Sequence, residues 1–441
     1  MPARRRVIID TDPGNDDVLA MLLALAAPST DLEVLLISVV AGNVDVRACL
    51  RNVVAIFHVL DKEITWRKQK NLPVGYEGVT THKPLVAIGA NAALKIDGEV
   101  VSEGDNADYF HGRDGMGGST QTHPEFNPDE SWTKLFEKPP PDDKLAKTAG
   151  ADADLKQSMF NNFRPSHEPA HKEILRILRE GERDSISIVA IGPLTNLALA
   201  AAEDPETFLR CREVISMGGA IDAIGNVTPN AEFNVWADPH AAARVYALSS
   251  AIPSSTMPLT QVSYGGQALP PYPPKLSKQL RLVLMSLDIT EHHVITRSLF
   301  TSKSENLAKQ GSPLANWLKA FLIPMLDKMA TLHTGHDEDA SFALHDPLCI
   351  YYLLTEDDER WRASDRSPED IRVETQGQWT RGMTVGDKRP RRRRNSDGEA
   401  PHDRGNWLGQ SSGNRMLRML ESPEREKSGA WMLDRILGYV Q

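Results

Sequence analysis

Four aspartates lie within eight residues near the start of the chain, at Asp10, Asp12, Asp16 and Asp17. Carboxylates this close repel one another unless positive charge lies among them. A helix N-terminus supplies about half a unit charge, whereas Ca²⁺ and Mg²⁺ carry two charges and prefer oxygen ligands. Helix capping by Asp16 and Asp17 is the simpler alternative, but it does not explain Asp10 and Asp12 at the end of an apolar strand. The spacing therefore favours a site for a metal ion or a sugar.

The elements that must position these carboxylates can be predicted from the neighbouring residues. Residues 7–9 are branched and apolar, which is typical of a short buried strand. Pro13 and Gly14 predict a tight turn. A helical pattern of apolar residues follows at Val18, Leu19, Met21, Leu22 and Leu25. A strand, a turn and a helix predict the first βα unit of an α/β fold, in which ligands bind outside the carboxyl ends of the strands.

The composition limits the possible classes of protein. The 441 residues are 40% hydrophobic and 25% charged, as in ordinary globular proteins. A formal net charge of −10 argues against nucleic acid or an anionic membrane as a partner. The three scattered cysteines show no disulfide framework or zinc spacing, which suits a reducing compartment. With no apolar leader and no apolar run long enough to span a bilayer, we expect a cytoplasmic protein.

Strands and helices are predicted to alternate along the rest of the chain, which indicates a mainly parallel sheet flanked by helices. Apolar runs at 32–40, 84–89, 186–191 and 213–217 predict strands, and 45–58 predicts a helix. Helices are expected to fill 275–330, with late strands at 371–375 and 384–385. No linker divides the chain, so residues 1–441 are expected to form one domain. Polar insertions at the surface are expected near 61–84, 124–170 and 386–413.

Several separate motifs together resemble a known family. The stretch Asp10-Thr11-Asp12-Pro13-Gly14-Asn15-Asp16-Asp17 resembles the N-terminal signature of the inosine-uridine preferring nucleoside hydrolases, which are calcium-dependent enzymes that cleave the N-glycosidic bond of ribonucleosides. Further matches follow in the same order along the chain, at 42–43, 111–118, 191–196, 217–219, 226, 232–234 and 345–347. An ordered set of matches from residue 7 to about 385 is far more specific than one Asp-rich turn.

The resemblance implies a fold, a cofactor and a set of site residues. It implies a mainly parallel sheet of about eight strands, with the active site at the strand carboxyl ends. Calcium would be held by the carboxylates of Asp12, Asp17 and Asp346 and by the carbonyl of Ile191. Polar contacts to the substrate ribose would come from Asp16, Asn43, Asn226, Glu232 and Asn234, and apolar contacts near the ribose from Met217 and Phe233. The resemblance also implies a homo-oligomer, either a dimer or a tetramer.

The implied chemistry agrees with these residue types. A cation lowers the pKa of water, and Asp12 could accept the proton as that water attacks the anomeric carbon. Acidic and amide oxygens would stabilise an oxocarbenium-like transition state. His345 is the candidate proton donor to the departing base. His111 could contact the base or only shape its glycine-rich loop, and His333 and His336 are expected to face solvent.

Alternatives remain open from the residues themselves. Glu232 and Asn234 could cap a helix, and His345 could be structural. The Arg-rich run 391–394 predicts a solvated loop, with nuclear localisation as the alternative. A non-catalytic nucleoside-binding protein of the same fold would keep the same residues. A haloacid-dehalogenase-type phosphatase would share Asp10-Thr11-Asp12, but it expects Thr or Val where Gly14 stands. Segment 259–261 lacks a histidine that some relatives carry, so the preferred base is undecided.

Overall fold

The computed structural model describes residues 4–96, 107–138, 162–332 and 339–439, without the side chain of Leu332. Much of the predicted insertion 124–170, together with His333 and His336, lies outside the described residues.

The fold is built on one large sheet, which confirms the prediction of a mainly parallel α/β architecture. Nine strands lie in the order β13-β16-β10-β7-β6-β1-β2-β3-β5, and every neighbouring pair is parallel except β13 with β16. These strands are β1 (Arg5–Thr11), β2 (Leu32–Val39), β3 (Leu85–Ile88), β5 (Arg164–Pro165), β6 (Ile186–Ala190), β7 (Glu213–Met217), β10 (Leu282–Met285), β13 (Arg362–Ala363) and β16 (Met416–Glu421). The sheet therefore has one strand more than the eight expected.

Seven further short strands form three small antiparallel sheets. They are β4 (Lys95–Ile96), β8 (Val262–Tyr264), β9 (Gln267–Ala268), β11 (Val294–Thr296), β12 (Ser341–Ala343), β14 (Ile371–Val373) and β15 (Thr384–Gly386). The two late strands predicted from the sequence are present as β14 and β15, but they pair with each other outside the central sheet.

Helices cover both faces of the central sheet. The α-helices are Asn15–Ala26, Val46–Gln69, Glu77–His82, Asp108–His111, Ser119–Thr122, Ala170–Glu180, Thr195–Glu203, Pro205–Phe208, Phe233–Ala237, Pro239–Ala247, Leu287–Thr290, Arg297–Lys309, Pro313–Leu332, Pro347–Thr355 and Ser428–Ile436. Alternate residues of β1 enter two separate cores, since Val7 and Ile9 pack on one face and Ile8 on the other. None of the described helices is long and apolar enough to cross a membrane.

The second long helix differs from the prediction. It does not end near His58 but continues to Gln69, into a segment that was expected to be a surface excursion. Glu63 is fully buried and pairs with Arg67 one turn later, with 2.8 Å between Oε1 and Nε. Ser312 donates a hydrogen bond to the other oxygen of Glu63. Two of the polar residues that suggested a loop, Glu63 and Arg67, therefore form an internal ion pair.

Four strands of the central sheet were not predicted: the two-residue edge strands Arg164–Pro165 and Arg362–Ala363, and two longer strands. Leu282–Met285 lies in the stretch where only helices were expected, yet it forms β10 between β7 and β16. Met416–Glu421 forms β16 and was not assigned at all. A short apolar run cannot be told from a buried helical segment by its periodicity.

The Arg-rich segment after β15 folds around a buried carboxylate. Asp403 is fully buried and accepts hydrogen bonds from Arg389 and Arg394, both at 3.1 Å, and from the backbone N–H of Leu408 at 2.9 Å. The run 391–394 is therefore solvated at Arg391, Arg392 and Arg393 but anchored at its last member.

Candidate functional site

A cavity of about 600 Å³ opens at the carboxyl edge of the central sheet. All of the predicted site residues line it except Asp12 and Asp17, which are fully buried. The predicted members are Asp16, Asn43, His111, Ile191, Met217, Asn226, Glu232, Phe233, Asn234, His345 and Asp346. The cavity therefore gathers residues that are up to 330 positions apart in the sequence, from Asp16 to Asp346.

Three buried carboxylates converge where the cavity meets the first βα unit. Oxygens of Asp16, Asp17 and Asp346 lie within 4.8 Å of one another. Burial, followed by the charge of Asp17, raises the pKa of Asp16 to about 8. Burial also raises the pKa of Asp346, and the charges of Asp16 and Asp17 add to the effect. Ionising this cluster is costly without a cation, and its hard oxygen donors fit a divalent metal ion.

Asp12 stands beside this cluster with one oxygen free. Its Oδ2 accepts a hydrogen bond from the backbone N–H of Asn43 at 2.7 Å, while its buried Oδ1 has no partner among the described residues. A Cβ at Gly42 or at Gly192 would overlap the Asp12 carboxylate. Glycine at both positions therefore lets the backbone close around this side chain. Asp12 is not one of the three mutually close carboxylates, and Asp16, which was predicted to bind the sugar, takes that place.

Asp17 is held by the turn that precedes its helix. It accepts hydrogen bonds from the Thr11 hydroxyl at 2.6 Å, the Gly14 backbone N–H at 2.9 Å and the Asn43 side-chain amide at 3.0 Å. Burial nevertheless raises its pKa. These donors fix the orientation of a carboxylate that was expected to be a metal ligand.

Asp10 does not join the other three aspartates of its motif. It accepts hydrogen bonds from the Ser38 hydroxyl and from the side chain of Asn196, and burial raises its pKa to about 7. Asn196 also donates to the carbonyl of Val39 and accepts from the N–H of Ala90. The idea that all four acids meet is therefore wrong, because Asp10 helps to hold the ends of β1, β2 and β3 together.

The capping alternative for Glu232 is confirmed. Its Oε1 accepts the backbone N–H of Asn234 at 2.7 Å, and its Oε2 accepts those of Val235 at 3.0 Å and Gly219 at 2.9 Å. Asn226 likewise accepts the N–H of Phe233 through Oδ1 at 2.9 Å. These contacts shape the cavity wall, and they leave ribose binding by these residues as a prediction.

Asn234 connects two further predicted residues. Its side-chain amide donates to the carbonyl of Ile191 at 3.2 Å and lies 3.3 Å from the sulfur of Met217. The Ile191 carbonyl that was expected to bind calcium therefore already accepts one hydrogen bond, and a carbonyl oxygen carries a second lone pair.

The tautomer of His111 is fixed by its neighbour. The backbone N–H of Asn15 donates to Nδ1 of His111 at 3.3 Å, so the proton of the neutral ring is on Nε2. Burial lowers the pKa of His111 to about 3, and the nearby charge of Lys328 adds to the effect. His111 is therefore neutral at physiological pH and offers an N–H donor. No pattern in the sequence signalled this use of Asn15.

One ring nitrogen of His345 has a hydrogen-bond partner among the residues that the structure describes. Its Nδ1 lies 2.8 Å from the hydroxyl of Thr290, and burial lowers its pKa to about 4. Thr290 was not predicted to be a site residue.

Other lining residues were also missed. They extend the wall beyond the predicted ribose contacts and are mostly apolar or aromatic: Ala107, Tyr109, Phe110, Ile224, Gly225, Glu291, Val294, Met329, Ser341 and Ala343. They lie on loops, on two short strands and on the helices Asp108–His111 and Pro313–Leu332, outside any motif, so no pattern in the sequence marked them.

Comparisons with known proteins agree with this geometry. The family model described as "Inosine-uridine preferring nucleoside hydrolase" matches residues 7–406. The pyrimidine-specific ribonucleoside hydrolase RihA of Salmonella typhimurium is 30% identical over 388 residues, which cover 86% of this chain and 88% of the relative. An uncharacterised protein of Schizosaccharomyces pombe is also 30% identical, with 87% and 89% covered.

Solved structures share the fold. A plant nucleoside hydrolase matches with a TM-score of 0.62 at 21% identity, covering 98% of this chain and 99% of that one. An inosine-guanosine nucleoside hydrolase matches with a TM-score of 0.61 at 20% identity, with both chains fully covered. The family match argues against the phosphatase alternative, since it accounts for motifs well beyond the first aspartates. The chain belongs to the inosine-uridine preferring nucleoside hydrolase family.

Proposed function

We propose that this protein hydrolyses the N-glycosidic bond of ribonucleosides and releases a free base and ribose, with calcium as its metal. The observation that carries the proposal is the floor of the cavity. Three buried carboxylates converge there, and beside them lies Asp12, whose Oδ1 has no hydrogen-bond partner in the described part of the chain.

Calcium suits the donors at this floor. Asp17 and Asp346, joined by Asp12 and the Ile191 carbonyl, would hold the ion, and Asp16 is close enough to contribute. All of these donors are oxygen, as Ca²⁺ requires. The bound ion would supply positive charge that offsets the carboxylates and lowers the pKa of water.

Asp12 is suited to be the general base. Its free oxygen can accept a proton from water while the water oxygen bonds to the anomeric carbon. The C–N bond breaks, and its electron pair leaves with the base. Positive charge that grows on the sugar is stabilised by the surrounding carboxylates.

The remaining polar residues would orient the nucleoside. Asp16, Asn43 and Asn234 line the cavity beside the carboxylates, where ribose hydroxyls would lie. His111 offers a neutral N–H donor, which could reach a carbonyl or ring nitrogen of a purine or a pyrimidine. His345 also lines the cavity and would protonate or hydrogen-bond the departing base.

Two variants separate the two roles. Asp12→Ala should abolish cleavage of uridine, inosine and 4-nitrophenyl riboside alike, because every substrate needs the attacking water. His345→Ala should slow uridine and inosine by roughly 10²–10⁴-fold, the usual size of general acid catalysis. The same variant should cleave 4-nitrophenyl riboside nearly as fast as wild type, since 4-nitrophenolate leaves without a proton.

His402→Ala serves as the matched control, because this histidine is exposed on the surface. It should behave as wild type on all three substrates. Equal damage by His345→Ala on natural and activated substrates would show that His345 packs or orients rather than assisting the leaving group. Turnover by Asp12→Ala at the wild-type rate would refute the role of Asp12.

A further inference from the structure

Thr290 is a buried residue whose hydroxyl contacts the histidine expected to face the leaving base. It ends the helix Leu287–Thr290 and is fully buried. Its Oγ1 lies 2.8 Å from Nδ1 of His345. Among the residues that the structure describes, this is the one hydrogen bond of the Thr290 hydroxyl. The contact joins two segments that are 55 residues apart in the sequence.

The donor and acceptor roles of Thr290 and His345 determine which ring nitrogen of His345 carries the proton. A buried hydroxyl whose proton has no acceptor is costly. Within the described part of the chain, Nδ1 of His345 is the acceptor that the Thr290 proton can reach. A neutral ring that accepts at Nδ1 carries its own proton on Nε2. Nε2 is on the side of the ring opposite this contact, and His345 lines the cavity.

The hydroxyl can serve either charge state of the ring. It donates to Nδ1 when His345 is neutral, and after rotation it accepts from Nδ1–H when the ring is a cation. In both charge states Nε2 keeps its proton, so His345 presents an N–H donor to the cavity in either state.

We infer that Thr290 is a positioning residue, whose hydroxyl keeps the Nε2–H of His345 directed at the leaving base. The inference rests on the proposed function and deepens it. Bond breaking leaves an electron pair on a nitrogen of the base, and the Nε2–H stabilises that pair by a hydrogen bond or transfers its proton to it. A valine at position 290 would fill the same space but could neither donate nor accept.

The test compares Thr290→Val with Thr290→Ser in the full-length, calcium-loaded protein. The valine variant should lower kcat for uridine and inosine by about three- to tenfold, the value of one net hydrogen bond. Its KM should change little, and 4-nitrophenyl riboside should be cleaved at close to the wild-type rate. The serine variant keeps the hydroxyl and should restore turnover of both nucleosides.

A spectroscopic measurement tests the tautomer separately. In ¹⁵N-histidine-labelled protein, with the ring assigned by comparison with His345→Asn, Nε2 of His345 should carry a proton. In Thr290→Val the neutral ring should become a mixture of tautomers. A wild-type ring with its proton on Nδ1 and a bare Nε2 would overturn the inference.

The kinetic and spectroscopic results also separate the inference from the function on which it rests. Equal slowing of nucleosides and 4-nitrophenyl riboside by Thr290→Val, or a serine variant as slow as the valine one, would show that Thr290 only packs. If the wild-type protein cleaved no nucleoside, the proposed function would fail, while the tautomer measurement would still decide what Thr290 does.

Discussion

Removing the metal should make the stability of the protein fall as pH rises. In the metal-free protein the pKa of Asp16 is raised from 3.8 to about 8, first by burial and then by the charge of Asp17. Between these two values Asp16 is protonated when folded and ionised when unfolded. Its stabilising contribution is complete below the unfolded pKa and is lost as pH rises through the folded pKa.

The part of the effect that comes from Asp16 follows from its own titration, and the raised pKa values of Asp17 and Asp346 act in the same direction. Between about pH 7 and pH 8.5, losing the Asp16 proton should cost roughly 1 kcal/mol of unfolding free energy. His111 and His345 add little in this range, since their lowered pKa values keep both neutral when folded and the ordinary histidine pKa of about 6.5 leaves both mostly neutral when unfolded. Asp10 has its own raised pKa of about 7, but its contribution is the same with and without calcium because it lies apart from the cluster.

The assay is urea unfolding followed by tryptophan fluorescence, at several pH values, with a chelator or with excess calcium. The chelated protein should lose stability across the range, whereas calcium should hold the cluster ionised and flatten the dependence on pH. Asp16→Asn provides the matched control, because the chelated variant should lose the part of the slope that comes from Asp16. A chelated wild-type protein whose stability rises with pH, or follows the same curve as the calcium form, would refute the reasoning.

Three further substitutions test other parts of the account. Gly42→Ala would place a Cβ on the Asp12 carboxylate, so turnover of nucleosides should fall at least about tenfold, while circular dichroism should show that the variant still folds. Full activity would contradict the role of this glycine. Asn196→Leu leaves buried polar groups unpaired, so urea unfolding should show an unfolding free energy lower by about 2–4 kcal/mol. A loss near zero would contradict the structural role of Asn196. Asp403→Ala removes the partner of two arginines and should speed tryptic cleavage at 391–394, so an unchanged cleavage rate would show that this carboxylate does not anchor the segment.

The first βα unit could be predicted because its signals are local. An apolar run, a Pro-Gly turn and a helical pattern follow directly after one another in the sequence. The strand, the turn and the helix can therefore be predicted without knowledge of any distant contact. The same argument misplaced Asp10. Strand alternation puts Asp10 and Asp12 on one face, but β1 ends at Thr11 and the turn redirects Asp12.

Long-range pairings could not be predicted from patterns. The meeting of Asp17 with Asp346 was expected from the family resemblance, since no spacing rule links residues so far apart. The contacts of Asn15 with His111 and of Thr290 with His345 carry no motif at all. The strand Leu282–Met285 was missed because four buried residues give no period to distinguish a strand from a helix.

The most direct test of the central claim is the release of ribose from a nucleoside panel by the purified protein. With calcium, we predict stoichiometric free base and reducing sugar from at least one of uridine, cytidine, inosine, adenosine and guanosine. A strong chelator should stop the reaction, and added calcium should restore it. If the calcium-loaded protein releases no ribose from any member of the panel, or releases it equally fast in the chelator, the proposed calcium-dependent nucleoside hydrolysis is wrong.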